Sequence, residues 1–218
     1  AAVGRADQGL LKVGIFSSLA SGFLFDLLRK FGRHHPTVQI DLMDGNPAEH
    51  VAAVRKLDLD IAFITGTARW DGCETEHLWC ERVFVVLPAG HPLAAKAELE
   101  WPDLTGERFI VSDVAPGQEI HDYLVAHLAG LGHHPDIHSQ HVGRDNILSL
   151  VAVGRGLTLT SEATTVGQFP GIAFRQLADE VLPFSMVWSD QNDNPACRRL
   201  LSMARAMGKA SVESQPPP

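Results

Sequence analysis

Twice along this chain an apolar strand, a helix, a second strand, a second helix and a third strand follow one another, first over 11–64 and again over 109–160. This repeated order constrains the fold most, because about 98% of strand–helix–strand crossovers within one sheet are right-handed. The first pass therefore predicts a parallel three-stranded unit with helices laid over it. Open sheets of this kind take ligands at the carboxyl ends of their strands, where helix amino termini converge. Two such halves predict an α/β chain of two Rossmann-like lobes with a ligand cleft between them. In outline this is a small-molecule binder.

Local signals place the elements. Leu10–Phe16 is a short apolar run fit for a buried strand, and Ser17, Ser18 and Ser21 follow as hydroxyl caps. Phe23, Leu24, Leu27, Leu28 and Phe31 recur at helical spacing until Pro36. After the strand Val38–Met43, Asn46 precedes Pro47 and stands three residues before Glu49, the signature of a capped helix start. Asp60–Ile64 is the third strand, ending at Thr65-Gly66-Thr67. Val83–Leu87 reads as a strand leaving the first lobe, and Trp101–Leu104 as a single helical turn. The second pass comprises Phe109–Ser112, a helix from Gly117 to Leu131, Ile137–Val142, a helix Asp145–Val153 and Leu157–Thr160. Ile172–Leu177 and Phe184–Ser189 read as two further strands, and a last helix starts near Pro195.

Composition narrows the function. The chain has 218 residues, enough for one large domain or two small ones, and a net charge of −8 that argues against gripping a nucleic-acid backbone. Three cysteines, odd in number and outside CxxC spacing, fit a reducing cytoplasmic setting. No apolar run approaches the roughly 18 residues a membrane span requires. The first residues show neither an initiator Met nor an apolar signal core, and read as a cut within a longer polypeptide. Residues 210–218, rich in Ser and Pro, are expected to form a disordered tail.

The candidate binding residues stand where strands end. Ser17 and Ser18 follow the first strand, Asn46 the second, and Thr65 with Gly66 the third. For Ser17, Ser18 and Asn46 the plain structural role is capping, worth about 1 kcal/mol each; the functional role of the set is to hold a polar group on hydroxyls and free amides. In the second lobe the candidates are Ser112, His141, Gly143, Arg144 and Thr160. Gly143 would let a ligand approach the backbone, and Arg144 offers a fork for a carboxylate. Against this, Ser112 is equally a satisfied turn hydroxyl, and Arg144 can pair with Asp145 or Glu162. No metal site is expected: His133, His134, His138 and His141 lack a thiolate partner and an HExxH helix. Asp26, Asp44 and Asp113 show no pattern tying them to a particular His, and no GxSxG turn is present, so no enzyme and no cofactor are expected.

Six stretches, in order, carry a family resemblance: LKVGIFSS at 11–18, LLRKFGRHHPTVQIDL at 27–42, LDLDIAFITG at 57–66, FVVLPAGHPLA at 84–94, LTGERFIV at 104–111 and ILSLVAVGRGLTLTSEA at 147–163. Together they resemble the effector-binding domain of LysR-type bacterial transcription regulators, over 10–209. The resemblance implies the type 2 periplasmic-binding-protein fold, two α/β lobes joined by two crossing strands, with the final helix returning to the first lobe. Crossings near Leu87 and Val187 would make lobe I of 10–87 and 188–209, and lobe II of 88–187. It implies further that a DNA-binding winged helix-turn-helix, absent from this chain, precedes the domain. Effector domains in the family pair through lobe I, as dimers or tetramers, with Leu24 and Leu27 on the helix against the partner. One departure stands out: many relatives end the third lobe-II strand with proline, where this chain has Thr160-Ser161-Glu162.

The expected function is a cytoplasmic transcription regulator's effector sensor, binding an organic anion or aromatic acid between its lobes. The rival is a transporter's solute-binding protein of the same fold, which predicts a secretory leader upstream rather than a helix-turn-helix.

Overall fold

Leu11, Val13 and Ile15 are buried at alternate positions of β1 (Gly9–Ile15), with Lys12 exposed between them. The computed structural model describes residues 9–214, with the backbone course alone for 210–214. α1 (Gly22–His34) buries Leu24, Leu27 and Phe31, one stripe at three- and four-residue spacing, and carries Arg33 and His34 in its last turn, where cations suit the carboxyl end of the helix. β2 (Val38–Asp44) follows, then α2 (Pro47–Arg55), which opens with the predicted reciprocal cap. There Glu49 N donates to Asn46 Oδ1 at 2.9 Å and Asn46 N to Glu49 Oε2 at 3.2 Å. β3 (Ile61–Thr65) is buried until its last residue. β1 pairs in parallel with both β2 and β3, Val13 lying opposite Leu42 and Ile61. The loops after Ile15, Asp44 and Thr65 therefore leave the same edge of the sheet.

β4 (Glu74–Pro88) is longer than the predicted strand Val83–Leu87. Its first residues, Glu74-Thr75-Glu76-His77, are polar enough to hide it in a hydropathy reading, although Leu78 and Trp79 are buried. Beyond it come β5 (Glu98–Leu99), β6 (Arg108–Ser112), α3 (Gly117–Gly130), β7 (Asp136–Gln140), α4 (Arg144–Ala152), β8 (Thr158–Ser161) and β9 (Ile172–Trp188). β6 and β7 are parallel, with Phe109 opposite Ile137. β8 meets β6 through a parallel bridge between Phe109 and Leu157, but its ladder is antiparallel with β4, Val85 opposite Leu159. The two strands predicted at 172–177 and 184–189 are one strand. Asp179 at φ 57° and Pro183 interrupt its pattern without ending it.

The chain divides into two compact units, unit 1 running to Glu81 and resuming at Leu182, and unit 2 comprising Arg82–Val181. The crossings thus fall about six residues before the expected Leu87 and Val187. β4 and β9 each run on through their crossing, so no strand end marks the boundary. In unit 1, β9 pairs antiparallel with β3, Thr65 opposite Phe184. α5 (Pro195–Ser214) packs on α1 and β1 there, its Leu200 and Ala204 sharing a core with Leu11, Phe31 and Met186. The final helix therefore belongs to the first unit. It also carries the chain to Ser214, so the tail expected from 210 starts inside a helix; a helix already formed extends readily through Lys209, Ala210 and Glu213. Residues 215–218 of the expected tail lie outside the described residues. A separate core of Val86, Ile110, Ile147, Leu148 and Val151 holds unit 2.

Candidate functional site

At the carboxyl edge of unit 1, the first candidate is committed inward. Ser17 is 4% exposed and donates its hydroxyl to Glu81 Oε1 at 3.1 Å. The Trp79 indole N–H donates to the same oxygen at 3.0 Å. Trp79 in turn is stacked between Phe23 and Phe184, with ring centroids 4.7 and 4.8 Å away. Ser18, partly exposed, accepts from Ala20 N at 3.2 Å, which leaves its own hydroxyl hydrogen to donate. Ser21 stands at the N-cap of α1 but makes no side-chain cap hydrogen bond, contrary to its expected role. Asn46 spends its carbonyl on the cap of α2, leaving its amide NH2 to donate. Thr65 is half-buried at the end of β3. Gly66, at φ 91°, donates its N–H to Pro183 O at 2.8 Å and accepts from Ser185 Oγ at 2.6 Å.

Beneath these loops lies a residue the sequence reading passed over. His50 of α2 is 3% exposed, with Nε2 2.8 Å from the Ile15 carbonyl oxygen. A carbonyl accepts, so Nε2 carries the hydrogen. The ring fills the space over Gly14 and Gly45, where a Cβ would come within 2.6 and 2.8 Å of it. Two glycines near the ends of paired strands were the signal available, since glycine in a strand often marks a close approach. Glu81 was likewise passed over. It shares a strand face with Trp79 two residues earlier, but an isolated acid in a polar run reads as exposed.

In unit 2 the candidates again sit at the carboxyl ends of β6, β7 and β8. Ser112 is the satisfied turn hydroxyl: it donates to Val142 O at 2.6 Å and accepts from Val114 N at 3.1 Å. Behind it, a Cβ on Gly117 would lie 1.7 Å from Ser112 O, so only glycine lets α3 start so close to β6. His141 Nδ1 is 2.6 Å from Asp113 Oδ2, a pairing that no sequence pattern marks. It arises because the β6–β7 register continues one residue further, with Asp113 N bonded to Gln140 O. Gly143 caps α4, and a Cβ there would meet nothing within 4 Å, so its approach is open. Arg144, half-buried, opens α4, and Thr160, half-buried, pairs with Phe84. Glu162, weighed as a partner for Arg144, is held by Arg82 in a two-point pair: Nε donates to Oε2 at 3.0 Å and Nη2 to Oε1. The same guanidinium donates to Gln176 Oε1 at 3.0 Å. These bonds hold the Glu162 carboxyl below its ordinary range.

Chemically, the unit 1 edge presents hydroxyl and amide donors, and the unit 2 edge a helix amino terminus with an arginine. Both suit a small polar or anionic ligand. Among the described residues, no group of three or more His, Cys, Asp or Glu is placed to hold a metal ion. Nor is any of their helices long and apolar enough to cross a membrane.

The family model for the LysR substrate binding domain matches residues 4–209. The chain is 27% identical over 158 residues to the transcriptional dual regulator GltC of Bacillus subtilis (strain 168), covering 72% of this chain and 52% of that protein. It is 23% identical over 202 residues to the HTH-type transcriptional regulator XapR of Escherichia coli (strain K12), covering 92% of this chain and 68% of that one. It thus spans about half of GltC. Among solved structures, the BenM effector binding domain with its effector benzoate superimposes with a TM-score of 0.79 at 20% identity, covering 96% of both chains. Full-length CbnR complexed with its target DNA gives 0.79 at 20% identity, over 94% of this chain and 73% of that one. At such identity these two establish the fold: two-lobed, of the type 2 periplasmic-binding-protein kind.

Proposed function

Because this chain belongs to the LysR substrate binding domain family, we propose that it is the effector-sensing part of a DNA-binding transcription regulator. The effector is a small metabolite, an organic anion or aromatic acid, and the polar loops at strand carboxyl ends hold it. In unit 1 those are Ser17, Ser18, Asn46, Thr65 and Gly66; in unit 2, Ser112, His141, Gly143, Arg144 and Thr160. The observation that carries this reading is the parallel register of β1, β2 and β3, which brings three polar loops to one edge. Benzoate, the effector of BenM, is a carboxylate of the class these donors suit.

Within that set the roles divide. Ser18 and Thr65 offer hydroxyl hydrogens, while Ser17 supports the loop from inside through Glu81. An effector changes the regulator's state only through unequal affinity for two arrangements, a coupling of about 1–3 kcal/mol. DNA contact belongs to a segment outside this domain, assembly is through unit 1 as a dimer or tetramer, and the protein acts in the cytoplasm without catalysing a reaction. Calorimetric titration of candidate carboxylates into the chain tests the site. Ser18→Ala and Thr65→Ala should each weaken a bound acid about tenfold, or about 1.4 kcal/mol; unchanged affinity in both variants refutes the assignment.

A further inference from the structure

Unit 2 holds a polar and aromatic cluster that the proposed site does not use. Glu180 of β9 accepts hydrogen bonds from the Trp101 indole N–H at 2.7 Å and from the Tyr123 hydroxyl. His127, one turn beyond Tyr123 on α3, stacks on Trp101 with centroids 4.4 Å apart and planes 12° from parallel. Its Nδ1 lies 2.8 Å from the Tyr123 carbonyl oxygen, which can only accept, so Nδ1 carries the hydrogen. In the neutral ring Nε2 is then a lone pair, and it stands 3.6 Å from Glu180 Oε1. A neutral His127 offers that carboxyl nothing to bond. A proton on Nε2 turns the same contact into an ion pair.

Few other groups compete. Among the described residues, the titratable groups in contact with the imidazole are Glu180 from β9 and Tyr123 from α3 itself. The turn Trp101–Leu104 contributes the uncharged indole, and its Asp103 is engaged by Lys96. Burial, and then the bond to Glu180, hold the Tyr123 phenol far above its ordinary range, so it stays protonated. Imidazole is the side chain whose ordinary titration lies between pH 5 and 8. The cluster also has a mechanical setting. Glu180 follows Asp179, whose φ of 57° lies in the left-handed region that residues with a Cβ seldom adopt, and β9 leaves unit 2 after Val181.

We propose that this cluster is a proton-binding site that gives the regulator a second input: protonation of His127 pairs it with Glu180 and tightens the hold of unit 2 on β9 just before the strand leaves. This stands whether or not the effector loops are correctly assigned. The test follows tryptophan emission of the intact chain from pH 8 to pH 5, together with amide hydrogen exchange across 178–181 corrected for the intrinsic pH dependence. An imidazolium stacked on Trp101 quenches it, so emission should fall through one step, absent in His127→Gln and in Trp101→Phe. Exchange at 178–181 should slow several-fold at the acid end in the wild type and not in His127→Gln. A fluorescence step that survives in His127→Gln overturns the site. A step with no accompanying change in exchange overturns its link to β9.

Discussion

Ser17 and Glu81 stand 64 residues apart in the chain and are joined by a hydrogen bond of 3.1 Å inside unit 1. The bond ties the loop after β1 to β4 at the last residue before the chain crosses into unit 2. It explains why two adjacent serines have different roles: one is turned into the protein and the other stays partly exposed.

Glu81→Ala removes the shared acceptor of Ser17 and Trp79 from a buried setting. The orphaned Trp79 donor carries a desolvation penalty of about 1–3 kcal/mol, while Ser17 Oγ keeps Ser18 O at 3.3 Å as a second acceptor. Urea unfolding should show a loss of about 2–4 kcal/mol, against about 1 kcal/mol for Ser17→Ala. Because the two residues share one bond, the double variant should be less destabilised than the sum by about 0.5 kcal/mol or more. Additive losses would show that the bond contributes nothing.

His50 and Gly14 make a second coupled pair. Gly14→Ala drives a methyl to within 2.6 Å of the His50 ring, an overpacking of the kind that costs about 1–3 kcal/mol. His50→Ala removes one hydrogen bond from the Ile15 carbonyl and leaves a void beside β1, and should cost about 2–3 kcal/mol. In the double variant the methyl enters the space the ring vacated, so thermal melts should show a smaller loss than the two singles predict together.

Much of this architecture was legible beforehand, and the failures have a common cause. Period 3.6 on α1 and the Asn46-Pro47-Glu49 signature marked two helices, because those signals act within one turn of chain. The candidate loops were legible as positions after strands. The roles of Ser17 and His141 were not, since Glu81 and Asp113 reach them only through the folded sheet. The same holds for the crossings: β4 and β9 run straight through a boundary that hydropathy along the chain cannot see.

The Arg82–Glu162 pair sets an acid dependence. Its hydrogen bonds hold the folded carboxyl below the unfolded value of 4.5. Such a group contributes stability that is present above the unfolded value and lost as pH falls through the lower folded one. The pair is partly exposed, so at neutral pH solvent screening keeps its contribution within about 1 kcal/mol. Arg82→Gln should therefore lower stability modestly at pH 7. The wild-type and variant curves should converge as pH falls through the lowered folded value, where the carboxyl becomes protonated in both. A gap that stays constant across chemical melts from pH 7 to pH 2.5 would assign the effect to lost packing against Phe84 and Gln176 instead.

The most direct test of the whole account is backbone amide shift mapping of the intact chain while a carboxylate that raises its melting temperature is titrated in. The largest shifts should fall at 17–18, 46 and 65–66, with a second set at 112, 141–144 and 160. Shifts confined to the outer faces of α1 and α5, with those loops silent, would contradict it.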